Sequence, residues 1–178
     1  MSSEVGYDVN YIFGDSTYIR EAILTQKKIP QTATKRFPLI GLYTPFVEDK
    51  TDSKVYCKAD VNIIIAVNTL KDYTNEQRIE VSFKGLLRPL YDALIKEVGA
   101  EKRFDFGYSG HVAHSYSENL VFGRRGAFDA DGKEIEEKID AIEITNLSYG
   151  KKNKMLWQQI IDNVRGLQPL IREIPYAC

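Results

Sequence analysis

His111 and His114 are the only two histidines in the chain, and their His-x-x-His spacing is the first place to look for chemistry. On one face of a helix such a pair can hold a metal with a third ligand. Here the neighbours Ser109, Gly110 and Ser115 place both in a loop, and no further Cys, His or carboxylate stands at ligand spacing. Two loop histidines in ordinary hydrogen bonds are the reading. Phe13-Gly14-Asp15-Ser16 echoes a Gly-Asp-Ser nucleophile motif. A nucleophilic serine needs a base and an acid that orients it, and neither histidine has a context for that. Asp15 is read as a helix N-cap instead. Asp129-Ala130-Asp131-Gly132 begins like a calcium loop, but an EF-hand carries its glycine sixth and a glutamate twelfth, so a turn is expected. Asp60 with Glu80 and Lys84 could be arranged as a metal-dependent nuclease. That site wants its second acid and its lysine on a strand, whereas Glu80 and Lys84 fall on a helix. No Walker loop or dinucleotide fingerprint occurs. The sequence therefore assigns no catalytic residue, no cofactor-binding residue, no cofactor and no metal.

The elements that would position these groups are partly legible. Ile19, Ala22, Ile23 and Gln26 follow Asp15 at helical spacing and predict a helix over 16–27, stopped by Pro30. Residues 37–44 read as a strand, with Pro38 at its start or on an edge. The clearest signal is the alternation from Val55 to Asn68. It predicts a long strand whose apolar half, 61–67, lies in the sheet centre and whose polar half, 55–60, projects as an arm or long hairpin. Thr74 and Gln77 have capping-box spacing. Ile79, Phe83, Leu86, Leu87, Leu90, Leu94 and Val98 then lie on one stripe, which predicts a helix over 75–98 closed by Gly99. Arg78 to Phe83 also alternates, but the stripe runs unbroken across Pro89, so one helix kinked at the proline is preferred.

Residues 101–132 are rich in glycine and aromatics and are expected to hold a β-hairpin or an arm ordered by a partner. A strand over 138–148 and a helix from Met155 to Gly166 follow, with a basic cluster at Lys151, Lys152 and Lys154 between them. Pro169 and Pro175 make the tail extended. The fold class expected is α+β: a mostly antiparallel sheet with one long strand packed against a long helix, plus projecting arms. The whole of 1–178 reads as a single α+β domain, with a β insert or arm at about 101–137 and an extended segment at about 167–178.

Composition bounds the function. Lys and Arg number 24 against 25 Asp and Glu, which argues against a general nucleic-acid binder. Cys57 and Cys178 make no disulfide framework. The start has no basic or apolar region of a secretory signal. The longest apolar run, Ile63 to Val67, is far below the ~20 residues that span a bilayer. The product is expected to stay in the compartment where it is made, or to leave by a route that needs no signal. Eleven Tyr and eight Phe suit surfaces that become buried against another chain, although several must line the core.

The order of elements resembles the tail-terminator and tail-completion proteins of tailed bacteriophages. The resemblance rests on Phe37–Thr44, Lys54–Thr69, Tyr73–Val98 and Lys138–Ser148. The stretch ADVNIIIAVNTLKDYTNEQRIEVSFKGLLRPLYDALI is similar to their core unit, and DAIEITNLSYG to their closing strand. The resemblance implies a non-enzymatic virion protein of the neck or tail, made in the host cytoplasm. It implies a closed ring of identical copies, usually six, or twelve where the portal sets the symmetry, joining head or portal to tail proteins. DNA would pass through the lumen without sequence-specific binding, and no membrane would be involved. The long insert at 101–137 and the extra C-terminal helix depart from the family pattern. Subunit contacts are expected at Tyr43, Phe46, Tyr56, Lys58, Arg124 and Arg125. The alternatives are a small metal-dependent hydrolase or nuclease, using His111, His114, Asp60 or Asp15, and an interaction module unrelated to viruses.

Overall fold

The computed structural model describes residues 8–51, 56–70, 72–101, 111–120, 138–152 and 156–166, with side chains except at 56, 57, 151, 152 and 156–159. The elements are β1 (Asn10–Gly14), α1 (Ser16–Lys28), α2 (Pro30–Ala33), β2 (Leu39–Tyr43), β3 (Glu48–Asp49) and β4 (Tyr56–Thr69). A continuous helix follows, with α3 (Asn75–Arg78), a π-helical segment (Ile79–Leu87) and α4 (Arg88–Ala100). Then come β5 (Ser115–Asn119), β6 (Lys138–Lys152) and α5 (Leu156–Gly166). The fold is α+β.

One mixed sheet runs in the order β1-β2-β4-β6-β5, with β3 paired to β4 beside β2. Every pair is antiparallel except β1 with β2. The period of two along β4 sends alternate residues to opposite faces. Ala59, Val61, Ile63 and Ile65 meet Phe83, Leu87, Leu90 and Leu94 of the long helix, together with Ile160, Ile161 and Val164 of α5. Ile64 and Ala66 pack on the other face with Ile12, Leu39 and Ile19 of α1. Gly41 leaves room on this face for the side chain of Ile64. A Cβ there would stand 2.7 Å from Cγ2 of Ile64 and 3.5 Å from Cδ1 of Ile19.

The strand β6 changes phase where β4 does not. Val61 pairs with Leu147 and Ile63 with Ile144, so two residues of β6 oppose Asn62. The extra residue is absorbed at Asn146, which sits at φ 56° and donates its N–H to Oδ1 of Asn62 at 3.1 Å. Asparagine tolerates this left-handed conformation better than most residues. The bulge puts Leu147 and Tyr149 on the same face as Ile142 and Ile144, and all four are buried. The buried Tyr149 hydroxyl donates to Oδ1 of Asn163 at 3.2 Å, tying β6 to α5.

Several expectations are corrected. Residues 58–60 do not project as an arm: Ala59 is fully buried, held between β3 and β6 and covered by the core that includes α5. Of the two places expected for Pro38, the structure has the strand start, directly before Leu39, and the strand is internal, between β1 and β4. The helix runs through Gly99 and ends at Ala100. The proline effect is spread over a π segment and is not a simple kink. Pro89 has no N–H and would crowd the carbonyl four residues back. The preceding turns take the wider register, and the N–H of Arg88 bonds to the carbonyl of Phe83. This register also changes which side chains face the sheet. Arg78 and Leu87 are nine positions apart, about two turns of π-helix but about two and a half turns of α-helix. Arg78 therefore faces inward with Leu87, while Ile79, expected on the buried stripe, is 36% exposed. From the insert, Ser115–Asn119 forms β5 against β6. Residues 102–110 and 121–137 of the insert, and the 167–178 tail, lie outside the described residues, as does the expected turn at Asp129–Gly132.

Arg78 meets Asp140 of β6, with Nε donating to Oδ2 at 3.3 Å and Nη2 donating to Oδ1. The side chains are 3% and 0% exposed. Removing one member strands a buried charge. Asp140→Leu is expected to lower the unfolding free energy by about 3–5 kcal/mol. Arg78→Met combined with Asp140→Leu should cost clearly less than the two single losses summed, as read by urea denaturation. At the bulge, Asn146→Ala is expected to destabilise by about 1 kcal/mol, while Asn146→Gly stays within a few tenths of wild type or above it. Equal losses in both variants would show that the left-handed backbone is not the constraint.

Candidate functional site: the open edge of β1

Most of the sheet is covered, but β1 lies at its end and pairs only with β2 among the described residues. Which of its main-chain groups are used follows from two bonds. The N–H of Asn10 donates to the carbonyl of Pro38 at 2.8 Å, and the N–H of Thr44 to the carbonyl of Gly14 at 2.9 Å. Alternate residues of a strand direct their main-chain groups to opposite sides. Asn10, Ile12 and Gly14 therefore face β2, and the N–H and C=O groups of Tyr11 and Phe13 face outward.

That edge forms the floor of an open cleft of about 640 Å³. One wall is α1, with Tyr18, Ala22 and Gln26, and the opposite wall carries Arg165 near the end of α5. The rings of Tyr11 and Phe13 stack at 6.3 Å, and the Arg165 guanidinium lies 5.9 Å and 5.7 Å from their centroids. Phe13 is 39% and Tyr18 57% exposed, large apolar surfaces at one place. Burial raises the pKa of the Tyr11 phenol, and nearby Arg165 opposes the rise in part. The hydroxyl donates to the carbonyl of Ile161 at 3.3 Å. Gly14, at φ 154°, closes the strand. A Cβ there would come within 2.5 Å of Cδ1 of Tyr18, so the glycine lets the tyrosine lean over the strand end. Asp15 caps α1 by accepting from the N–H of Tyr18 at 2.8 Å, as its position suggests. The cleft thus offers main-chain hydrogen bonding, aromatic walls, one cation and one carboxylate. That chemistry suits an extended peptide.

The groups with catalytic potential lie elsewhere and apart. His114 follows Val112 beside β5, at the opposite end of the sheet from Asp15. Its Nε2 is 2.7 Å from the Tyr91 hydroxyl and its Nδ1 is 2.7 Å from the Val112 carbonyl. His111 is exposed. Asp60 is exposed on β4, 4.0 Å from Lys58. Glu80 and Lys84 pair with each other on the exposed face of the π segment. Among the described residues no group of three or more His, Cys, Asp or Glu is placed to hold a metal.

Beside His114, Arg88 forks onto Glu118 of β5, with Nε 2.7 Å from Oε1 and Nη2 3.0 Å from Oε2. The Tyr116 hydroxyl donates to the same carboxylate, and its ring meets Tyr91 edge-on at 4.7 Å. This cluster fastens β5 to α4.

The residues expected at subunit contacts do not form one patch. Tyr43 is half-buried against the α1 core, and Phe46 packs against the core on the other face. Burial, with a smaller contribution from Glu143, pushes the Tyr43 phenol up to about 12. Lys58 is exposed on β4. Tyr56 has its main chain in β4 opposite Lys152, with its side chain outside the described part, and Arg124 and Arg125 also lie outside. Sequence reasoning missed Phe13, Tyr18 and Arg165. The available signal was Tyr11-Ile12-Phe13, three good strand formers ended by Gly14.

No known protein family model matches the chain, and no curated protein matches it.

Arg88 and Tyr116 hold the Glu118 carboxyl below its ordinary value of 4.5, with Arg88 the larger cause. A folded-state pKa below the unfolded one adds stability above the unfolded value, and this is lost as pH falls through the folded value. Glu118→Gln is therefore expected to be less stable than wild type at pH 7, and the gap should narrow as pH falls below about 4.3, measured by urea midpoints. A gap independent of pH would assign the loss to packing alone.

Proposed function

We propose that the protein is a structural, non-enzymatic subunit of a homo-oligomeric ring in the neck or tail of a tailed bacteriophage, joining head or portal to tail components. The observation that carries this reading is the unlike character of the two ends of one sheet. At one end, β1 offers an aromatic-walled cleft with outward main-chain groups, one cation and one carboxylate. At the other, β5 exposes the polar side chains Ser115, Ser117 and Glu118 around a single aromatic, Tyr116. A ring needs heterologous contacts, in which one surface of each copy meets a different surface of the next. Two unlike surfaces on opposite sides of a rigid body meet that need.

The body itself supports the reading. A long antiparallel pair, β4 with β6, is clamped by helices on both faces, and the resemblance to tail-terminator and tail-completion proteins rests on the same elements. Balanced charge is compatible with a lumen through which DNA passes without being held. The hydrolase and nuclease alternative has no assembled site among the described residues, because Asp15, Asp60 and His114 stand on separate parts of the sheet. No helix among those residues is long and apolar enough to cross a membrane.

The deciding measurement is the mass of the purified protein by light scattering over a wide concentration range, with negative-stain images of the same sample. Closed rings of six or twelve copies are expected. A single-copy mass at every concentration would count against the ring.

A further inference from the structure

The cleft at β1 has the form of a site for β-strand addition, and the chain supplies a segment that matches it. Five residues, Asn10–Gly14, make up β1. Beyond α5 the sequence reads Leu167-Gln168-Pro169-Leu170-Ile171-Arg172-Glu173-Ile174-Pro175. The two prolines, which cannot donate to a ladder, bracket five residues, Leu170 to Ile174. We propose that the β1 cleft of each subunit receives Leu170–Ile174 of a second copy as an added strand. The proposal rests on the ring reading and names the contact that joins one copy to the next.

Alternation decides the fit. Side chains of an added strand point in turn to the two walls. In one register Ile171 and Glu173 face the wall of Tyr11, Phe13 and Arg165. Leu170, Arg172 and Ile174 then face the wall of Asp15 and Tyr18. Each wall receives at least one apolar side chain and one charge opposite to its own. Shifting by one residue sets Glu173 against Asp15 and Arg172 against Arg165, so both charges repel. Charge therefore selects the register as well as favouring binding. The outward N–H and C=O groups of Tyr11 and Phe13 supply the ladder.

The donor is assigned to a second copy because only three residues of sequence separate α5 from the segment. Arg165 is next to the last residue of α5, so the tail starts at the mouth of its own cleft. Only Leu167, Gln168 and Pro169 would be left to reverse the chain. Proline fixes its own φ and holds the residue before it extended. A link so short and so restricted favours delivery of the segment to a neighbouring copy. The same step in every copy gives a contact that repeats head to tail.

The test uses full-length chains and one charge pair. Arg165→Glu sets two acidic groups against each other, and Glu173→Arg sets two basic groups together. Each variant alone is expected to associate at least about tenfold more weakly than wild type in light scattering. An equimolar mixture should recover the wild-type mass. In an alternating assembly every junction then pairs Arg with Glu, in one orientation or the other. The doubly substituted Arg165→Glu, Glu173→Arg chain should also associate. Recovery on mixing shows that both variants fold, so their weakness alone is not a folding defect. Recovery in the double variant without recovery on mixing would place the tail in its own cleft and overturn exchange between copies. Rings unaffected by either single reversal would overturn the tail contact and leave the ring reading standing. A wild type that stays a single copy would overturn both.

Discussion

Everything in this fold is set relative to the register between β4 and β6. The two strands run antiparallel from Tyr56 opposite Lys152 to Thr69 opposite Lys138. Both faces of the middle of the pair are buried, so a slip of one residue would send a full set of Ile and Val side chains to the wrong core. The bulge opposite Asn62 makes the register unique. It reconciles the unbroken alternation of β4 with the broken alternation of β6. The two helical layers then have fixed rows of side chains to pack on. Pairing β2 to β4, and β1 to β2, extends the frame outward to the cleft.

The parts of the fold that were readable from sequence are those whose signal is local. The alternation of β4, the Asp15 cap and the Thr74–Gln77 capping box depend on residues within a turn or a strand of each other, and the structure contains all three. The strand β1 was not readable, because three suitable residues next to a polar start acquire meaning only beside Leu39–Tyr43. The arm expected at 55–60 fails over 58–60 for a similar reason. Its polarity reports one exposed face, while Ala59 on the other face is covered by distant elements. The helix was legible as a helix, but its π register was not. Hydrophobic spacing marked Ile79 as buried, whereas Arg78 took the inward position because its carboxylate partner sits on β6. The cleft was invisible for the most general reason, since its floor, its aromatic wall and its arginine come from opposite ends of the chain.

The architecture also separates rigidity from adhesion. The centre of the sheet is closed by α1 on one face and by the long helix with α5 on the other. What is left for a partner is at the margins, where strand edges carry main-chain groups that water must otherwise satisfy. Proteins commonly protect such edges. Here β5 is pinned to α4 by Arg88, while the margin at β1 exposes Phe13 and, from α1, Tyr18. A chain built in this way combines a closed core with a surface whose burial is favourable.

The π segment has a meaning for how this chain can change over generations. A helix in that register holds Arg78 in phase with Leu87 only because the wider turns fit the number of residues between them. Losing one residue there would tighten the helix toward the ordinary α register and rotate the guanidinium away from Asp140, leaving a carboxylate in a dry interior. Gaining one would rotate it the other way. Substitutions along the exposed side of this helix are therefore cheap, whereas a single-codon insertion or deletion between Ile79 and Leu87 is not. Related sequences that keep the aspartate should keep the same residue count across that stretch, even where little else about it is shared.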